Sequence, residues 1–597
     1  MFETLNTRVA ESAVGRWFRL DGSGHPKQRE GSLFTTELRA GTTTFFAMAY
    51  IIAVNASILA DSGGTCVCES TADDPICLRN EAYALCKEVI RRDLITTSAA
   101  VAALASVLMG FFANLPVALA PGLGLNAYFA YSVVGFNGSG TVTYQEALAA
   151  VFLEGWLFFI LSIFGIRQWL ARIIPRSLTL ATGAGIGLFI ALIGLGSAGL
   201  GVCRMVARIT IASPSTLYPH NLPSVVYFDT NAYHFARMAL SREFLMDRDP
   251  DHTNYCLSHV LRSPTMWLGI FVGGIFTTLL LLYRVRGAII IGILLVSIIS
   301  WPRTTSVTLF PHTPVGDSNF DFFKKVVTFH KLEKIGNALD YNYAKGQVWI
   351  ALITFLYVDL FDTTGTLYSM AKFSGVMNPR TRDFEGSTVA YMIDAFSISM
   401  GALMGTSPVT AFIESATGIS DGGKTGITAM VTGFCFFIAV FFSPIFASIP
   451  SYATGGALVL VGSLMIKNVV DINWHYVGDA VPAFLTLILI PFTYNIAYGL
   501  ITGIITYVLL NTLPWGIRRL TGGRISPPGF EDEREPWGLP EDGLLPLWMR
   551  KLARGDRRFW TDDESYADDH SVRSHKTIDE GVDSTGKTSE EVEKGRV

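Results

Sequence analysis

Leu115-Pro116-Val117-Ala118, running on to Pro121-Gly122-Leu123-Gly124-Leu125-Asn126, interrupts a stretch of 52 residues, 94–145, that holds no Asp, Glu, Lys or Arg. A second interruption, Ser407-Pro408-Val409-Thr410-Ala411-Phe412-Ile413-Glu414, follows Leu403-Met404-Gly405 much as the first follows Leu108-Met109-Gly110. The copies lie 292 to 295 residues apart, about half of the 597-residue chain. Proline fixes φ and has no N–H to donate, so each break ends a helix and exposes the first N–H groups of the next. In hydrocarbon an unpaired backbone group costs several kcal/mol, so such breaks persist only where they line a cavity. As a pair they predict two half-helices whose N-termini meet a midplane pocket from opposite sides, the arrangement of a secondary transporter built as an inverted repeat.

The rest of the chain agrees. Half of its residues are hydrophobic, 16% are charged and its mean hydropathy is +0.38, against about a quarter charged in a soluble protein. Charge-free runs at 40–60, 94–145, 177–203, 263–283, 287–302, 395–413, 425–466 and 480–517, with 155–166 continued across Glu154, mark the spans, since a charge at a helix centre costs about 2.5–3.5 kcal/mol. The three longest each hold two spans of roughly 20 residues. With the interrupted segments near 346–370 and 388–420, the expectation is an all-α polytopic protein of about fourteen spans, arranged as two inverted seven-helix repeats.

An even number of spans puts both termini on one side. Arg8, Arg16 and Arg39 precede the first span, Arg167, Arg172, Arg284, Arg286, Arg380 and Arg382 sit in short connections, and Arg518, Arg519 and Arg524 follow the last. The positive-inside rule then places the termini in the cytoplasm. The first 39 residues are polar, so the first span itself serves as the targeting signal. The expected organisation is an N-terminal segment 1–32, a first repeat 33–302 with outer loops 61–93 and 204–262, an outer connection 303–345, a second repeat 346–517 and a cytoplasmic, largely disordered tail 518–597. Within that tail 544–560 is amphipathic, fit to lie on a membrane or on the protein's own inner face.

Six cysteines, Cys66, Cys68, Cys77, Cys86, Cys203 and Cys256, fall outside and Cys435 lies in a span; an even number in an oxidising compartment allows up to three disulfides. No metal site is expected, because Cys66-x-Cys68 lacks ligand spacing and a nearby His. Asn137-Gly-Ser139 is a candidate glycosylation sequon. The net charge of −4 and the absence of a basic cluster give no sign of nucleic-acid binding.

Ionisable residues inside membrane segments are functional candidates by default. Asp359 and Asp362, in Asp359-Leu-Phe-Asp362-Thr-Thr-Gly, and Glu414 after the second break stand out. Desolvation disfavours their charged form, so they can hold a proton and release it as the cavity opens, as a symporter requires. They also accept hydrogen bonds from a planar heterocycle, and Phe129, Phe361 and Phe412 can stack on it. For Asp362 capping a broken helix is the competing role; for Glu154 and Asp394, away from the breaks, packing or helix pairing is expected. Gly418-Ile-Ser-Asp-Gly-Gly423-Lys424-Thr425 fits the phosphate-loop pattern, but it lies between membrane segments without the preceding buried strand, so nucleotide binding is not expected. No enzyme motif is present.

Three stretches, Ala120–Tyr131, Val358–Thr366 and Gly405–Gly418, closely resemble the AzgA-type purine transporters of the nucleobase transporter superfamily, a likeness covering roughly residues 33–517. The cysteine-bearing loop and acidic tail resemble the fungal members. The resemblance implies a core domain that carries substrate and a gate domain, and proton-coupled import of adenine, guanine and hypoxanthine across the plasma membrane, with the proton as coupling ion and no cofactor. Carried over by motif, Asn126, Asp359 and Glu414, with Thr363 beside them, would bind substrate, and Asp359, Glu414 and Asp362 would couple the proton. Membrane lipids and a second copy in a homodimer complete the expected partners. An anion exchanger of the same general fold, a uracil or xanthine transporter and a channel are the alternatives.

Overall fold

A computed structural model describes residues 2–68, 77, 80–167, 175–196, 263–378, 383–522, 524, 547–553 and 555. The expected tail and loop 204–262 thus fall largely outside the described residues, and with them Cys203 and Cys256. The first repeat holds α1 (Phe34–Ala60, bent near Tyr50), α2 (Glu81–Ala113), the half-helix α3 (Leu123–Ala127), α4 (Tyr144–Ile163), α5 (Arg176–Leu195), α6 (Pro264–Leu282) and α7 (Ala288–Ser300). The second holds α8 (Gly346–Phe373), α9 (Ser387–Leu403), the half-helix α10 (Ser415–Ser420), α11 (Gly426–Phe441), α12 (Ser451–Asp471), α13 (Val477–Phe492) and α14 (Ile496–Leu520). This is the polytopic helical fold of about fourteen spans that the apolar runs predict. The chain from Leu545 onward forms a separate unit whose described helix, Leu547–Ala553, lies in the amphipathic stretch.

The repeats interlock rather than sit side by side. Helices α1–α4 pack with α8–α11 as a core, and α5–α7 pack with α12–α14 as a gate. Glycine allows the closest approaches between the repeats. A Cβ on Gly426 would lie 1.9 Å from the carbonyl of Gly110, and one on Gly462 would lie 2.3 Å from that of Gly187, so α2 meets α11, and α5 meets α12, backbone to backbone.

Ahead of each half-helix the chain is extended, and the two extended pieces pair. Strand β1 (Leu119–Pro121) runs antiparallel to β2 (Val409–Ala411), with Ala120 opposite Thr410. Three residues from each repeat thus close a ladder that neither half could form alone.

The phosphate-loop lookalike has a structural role. Glu37 of α1, fully buried, accepts hydrogen bonds from Lys424 N at 2.9 Å, Thr425 N at 3.1 Å and Thr428 Oγ1 at 2.6 Å, and Asn114 Oδ1 accepts from Gly426 N at 2.7 Å. The amide groups that such a loop offers to a phosphate are taken by the protein's own side chains, which cap α11 from distant parts of the chain. The segment before α1 is ordered too: Glu385, between α8 and α9, pairs with Arg19, with Lys27 at 3.6 Å and with Arg29 at 3.9 Å. Burial works to raise the Glu385 carboxyl, but these cations outweigh it and hold the group below the usual glutamate range.

Disulfides join Cys66, in the loop after α1, to Cys86 of α2 and Cys68 to Cys77 within that loop, and Cys435 is free. Asn137 is poorly placed for glycosylation: it is 9% exposed and its Oδ1 accepts from Lys87 Nζ at 2.9 Å. The connection 303–345 is folded against the helix ends. Asp93 of α2 lies 2.8 Å from His330 Nε2 and accepts from the backbone N–H groups of Glu333 and Lys334 at 3.0 and 2.8 Å.

Candidate substrate site

The backbone opened by the two breaks is satisfied by neighbours chosen for it. Gly122 N donates to Pro408 O at 3.0 Å and Phe412 N to Ala118 O at 3.1 Å, extending the two-strand ladder at both ends. Ala118 N donates to Ser415 Oγ, Ser106 Oγ serves both the N–H and the carbonyl of Leu119, and Asn55 Nδ2 donates to Pro121 O at 2.8 Å. Polar side chains of α1, α2 and α10 thereby let an irregular backbone stand inside a membrane protein. Gly122 is required here, since a Cβ would come within 2.4 Å of Thr410 Cγ2.

Beside this crossing opens a small, half-open cleft. Its two walls differ. The core side presents Asp362 and Thr366 of α8 with Thr410, Phe412 and Glu414 of the second break; the gate side presents Ile186 and Ile190 of α5 and Val461 and Met465 of α12. Glu414 Oε1 accepts from the hydroxyl of Tyr50 at 2.7 Å, while Oε2 is buried without a partner. A planar ligand in this cleft would meet two carboxylate acceptors, one ring and an aliphatic surface.

Of the residues picked out from the sequence, Glu414, Asp362 and Phe412 line the cleft. Asn126, Asp359, Phe129, Phe361 and Thr363 do not; they stand behind its wall. Phe129 packs on Tyr144 and Phe355, with centroids 5.2 and 5.9 Å away, and Phe361 packs on Tyr357 at 4.9 Å, so the structure uses both rings for packing. Asn126, fully buried, accepts from Ser407 Oγ and so ties the first break to the second.

Asp359 belongs to an ionic cluster. Arg167, which the sequence places in a basic connection, is fully buried just beyond α4, with Nη2 at 3.3 Å from Asp359 and 2.6 Å from Asp394 and Nη1 donating to Tyr391 O at 3.3 Å. Its guanidinium stacks over Phe158 and Tyr391. Asp394 and Glu154, for which packing or helix pairing is expected from sequence, are neighbours of Asp359, and Asp394 does pair across helices with Arg167. Thr363 links this cluster to the cleft, its Oγ1 lying 2.6 Å from Asp359 Oδ1 and 2.9 Å from Thr410 Oγ1, and Thr410 in turn bonds Asp362. Tyr50, Arg167 and Thr410 are the residues that sequence reasoning missed. Among the described residues no group of His, Cys, Asp and Glu is arranged to hold a metal.

The profile of the xanthine/uracil permeases, described as "Permease family", matches residues 75–245 and 235–502. The chain belongs to this family of membrane permeases. It is 56% identical over 567 residues to "Efflux pump notK'" of Aspergillus versicolor, covering 94% of this chain and 93% of that one. It is 54% identical over 580 residues to C887.17 of Schizosaccharomyces pombe, named for a xanthine/uracil permease, covering 97% and 87%. To the guanine/hypoxanthine permease PbuG of Bacillus subtilis it is 34% identical over 489 residues, covering 80% and 90%. The permease is therefore a transporter and not an enzyme, and nucleobases are the substrates its family is known by.

Proposed function

We propose that the permease is a proton-coupled importer of purine nucleobases, adenine, guanine and hypoxanthine among them, working at the plasma membrane by alternating access. The observation that carries this reading is the cleft in which Asp362 and Glu414 face an aliphatic wall of the gate. A purine offers ring N–H and exocyclic donors that ionised carboxylates accept strongly, about twice as well as neutral acceptors do, and apolar faces that match Phe412 and the branched side chains of α5 and α12 in character. The same carboxylates disfavour an anion, which counts against an exchanger of inorganic anions. The name of the PbuG relative supports purines; that of the fission-yeast relative favours xanthine or uracil as a second reading.

In the proposed cycle a purine and a proton enter from outside and occupy the cleft and the carboxylates around it, Asp359, Asp362 and Glu414. Core and gate then move relative to one another, and both ligands leave on the cytoplasmic side. Arg167 holds Asp359 in place, Thr363 and Thr410 connect it to the cleft, and Tyr50 fixes Glu414.

The test is uptake of radiolabelled hypoxanthine, adenine, xanthine and uracil into cells without their own nucleobase importers, at two external pH values, with efflux from preloaded cells as the reverse measurement. Saturable adenine and hypoxanthine uptake that rises at acid pH and is lost in Glu414→Ala is the expected result. Preference for uracil and xanthine overturns the substrate assignment, and net export against a gradient overturns the direction.

A further inference from the structure

The charges around Arg167 do not balance. Arg167, Asp359, Asp394 and Glu154 all have 0% exposure. Glu154 lies on α4 one turn before Phe158, on which the guanidinium stacks. The adjoining Gly155 packs so closely on α9 that a Cβ there would sit 2.7 Å from Ala395 O and 2.2 Å from Ser399 Oγ, which sets Glu154 beside Asp394. Three charged groups act on its carboxylate, Asp359 of α8, Asp394 of α9 and Arg167 after α4, and Tyr391 of α9 closes the far side of the guanidinium. Yet neither oxygen of Glu154 has a hydrogen-bond partner. With every acid ionised, three carboxylates against one guanidinium would leave a net charge of −2 in a dry interior.

An uncompensated buried charge is costly by several kcal/mol, whereas a neutral carboxyl needs only a hydrogen bond. A metal cation is a poor answer to the deficit because a guanidinium already occupies the centre of the cluster. Asp359 and Asp394 are both bonded to Arg167, so Glu154 is the acid with nothing to hold its charge.

We propose that Glu154 binds the coupling proton of the transport cycle, an assignment that rests on the proton-coupled reading above and moves the proton from the cleft to the layer behind it. The proton passes from outside water to a Glu154 carboxylate oxygen and later from that oxygen to inside water, with no other bond made or broken. Bound, its O–H has a free acceptor in the same cluster, Asp394 Oδ1, which is buried and unpaired. Once ionised, Glu154 competes with Asp359 for Arg167. Asp359 then pulls harder on the single proton of Thr363, which lies between Asp359 Oδ1 and Thr410 Oγ1, so the proton's presence is felt on the cleft wall through two threonines.

The experiment compares hypoxanthine uptake by the wild type, Glu154→Gln and Glu154→Asp from pH 4.5 to 8 in importer-deficient cells, with surface amounts measured through a fluorescent tag. Exchange of external labelled for internal unlabelled hypoxanthine is followed in parallel. Glutamine mimics the protonated state permanently. Glu154→Gln is therefore expected to lose accumulation above the external concentration and to show a pH profile flat to within about twofold, while exchange stays within about threefold of wild type. A Glu154→Gln variant that accumulates with the wild-type pH profile overturns the proposal and leaves purine transport standing. Wild-type uptake that ignores pH, or follows sodium instead, overturns the proton-coupled reading and this proposal together. Should Glu154→Gln fail to reach the surface, Glu154→Asp decides: a shifted pH midpoint supports the assignment and an unchanged one refutes it.

Discussion

Tyr50→Phe separates a substrate-binding Glu414 from one that merely lines a hole. The Tyr50 hydroxyl lies 2.7 Å from Glu414 Oε1, the phenol is wholly buried, and Oε2 has no partner. Phenylalanine keeps the ring and its packing and deletes one hydrogen bond to a charged acceptor, worth about 1.5–3 kcal/mol. Without that donor Glu414 is no longer aimed, so the dissociation constant for hypoxanthine should rise roughly 10- to 150-fold. Isothermal titration of the purified protein measures it, and a double-mutant cycle with Glu414→Gln tests the route. In the Glu414→Gln background Tyr50→Phe should cost no more than about 0.5 kcal/mol, because the partner through which it acts is gone. An equal loss in both backgrounds would show that the phenol acts on the cavity and not on the carboxylate; no loss in either would remove Glu414 from the binding site.

Four further outcomes are expected. Glu37→Ala strips the N–H groups of Lys424 and Thr425, just ahead of α11, of their carboxylate acceptor and should destabilise the protein by about 2–5 kcal/mol, read as a shortened thermal half-life in detergent; a half-life like that of the wild type refutes the trans-capping role. Gly426→Ala forces a Cβ against the Gly110 carbonyl, 1.9 Å away, with backbone on both sides, and at a cost of about 3 kcal/mol or more should sharply reduce the yield of monodisperse protein, so normal yield counts against the close approach. Glu385 is held low in the folded state by Arg19, Lys27 and Arg29 against the pull of burial. Its contribution to stability is therefore present above the ordinary glutamate value, about 4.3, and is lost as pH falls through the lowered folded value. Glu385→Gln should then shorten the thermal half-life at pH 7 and make no difference at strongly acid pH, and a deficit independent of pH contradicts the ion-pair account. Asn137→Gln should leave electrophoretic mobility unchanged, and a downward shift would mean that the sequon carries a glycan.

The breaks and their partners were legible because membrane segments tolerate so little polarity. Pro116, Pro121 and Pro408 announce interruptions, and Glu414 and Asp362 are conspicuous in apolar surroundings; both acids line the cleft. Asp359 was just as conspicuous, but its surroundings were not, since the residue that governs it looked like something else. Arg167 follows a span, as topology-setting arginines do, and nothing in one sequence tells a snorkelling cation from one drawn inward. Glu154 and Asp394 are conspicuous only as single charges; that they converge with Asp359 depends on how α4, α8 and α9 pack, which periodicity does not encode. Tyr50 is one tyrosine among 21, and only the bend of α1 brings its hydroxyl to Glu414. The phosphate-loop pattern lacks the context of a nucleotide site, but what fills it, Glu37 from 387 residues away, no local reading could supply.

The unlike walls of the cleft bear on speed. The polar half, with Asp362, Thr410 and Glu414, is joined across both repeats by the paired strands and would travel as one piece in the proposed cycle, whereas the facing half, Ile186, Ile190, Val461 and Met465, offers only apolar side chains. A surface of that kind gives the moving piece nothing to unfasten at the cleft. Dispersion contacts exchange one methyl for the next at small individual cost, so the two faces can act as a greased slide, and what resists the step there is the wetting and drying of the carboxylates. Emptied of cargo and proton, the moving half would drag bare charge along an oily track. Loaded with both, it would carry one charge fewer, and its cleft carboxylates would be covered by the donors of the purine. The same aliphatic wall that would make the proposed stroke easy when the site is full would make it slow when the site holds only charge, and in that difference would lie a simple physical origin for the coupling proposed above.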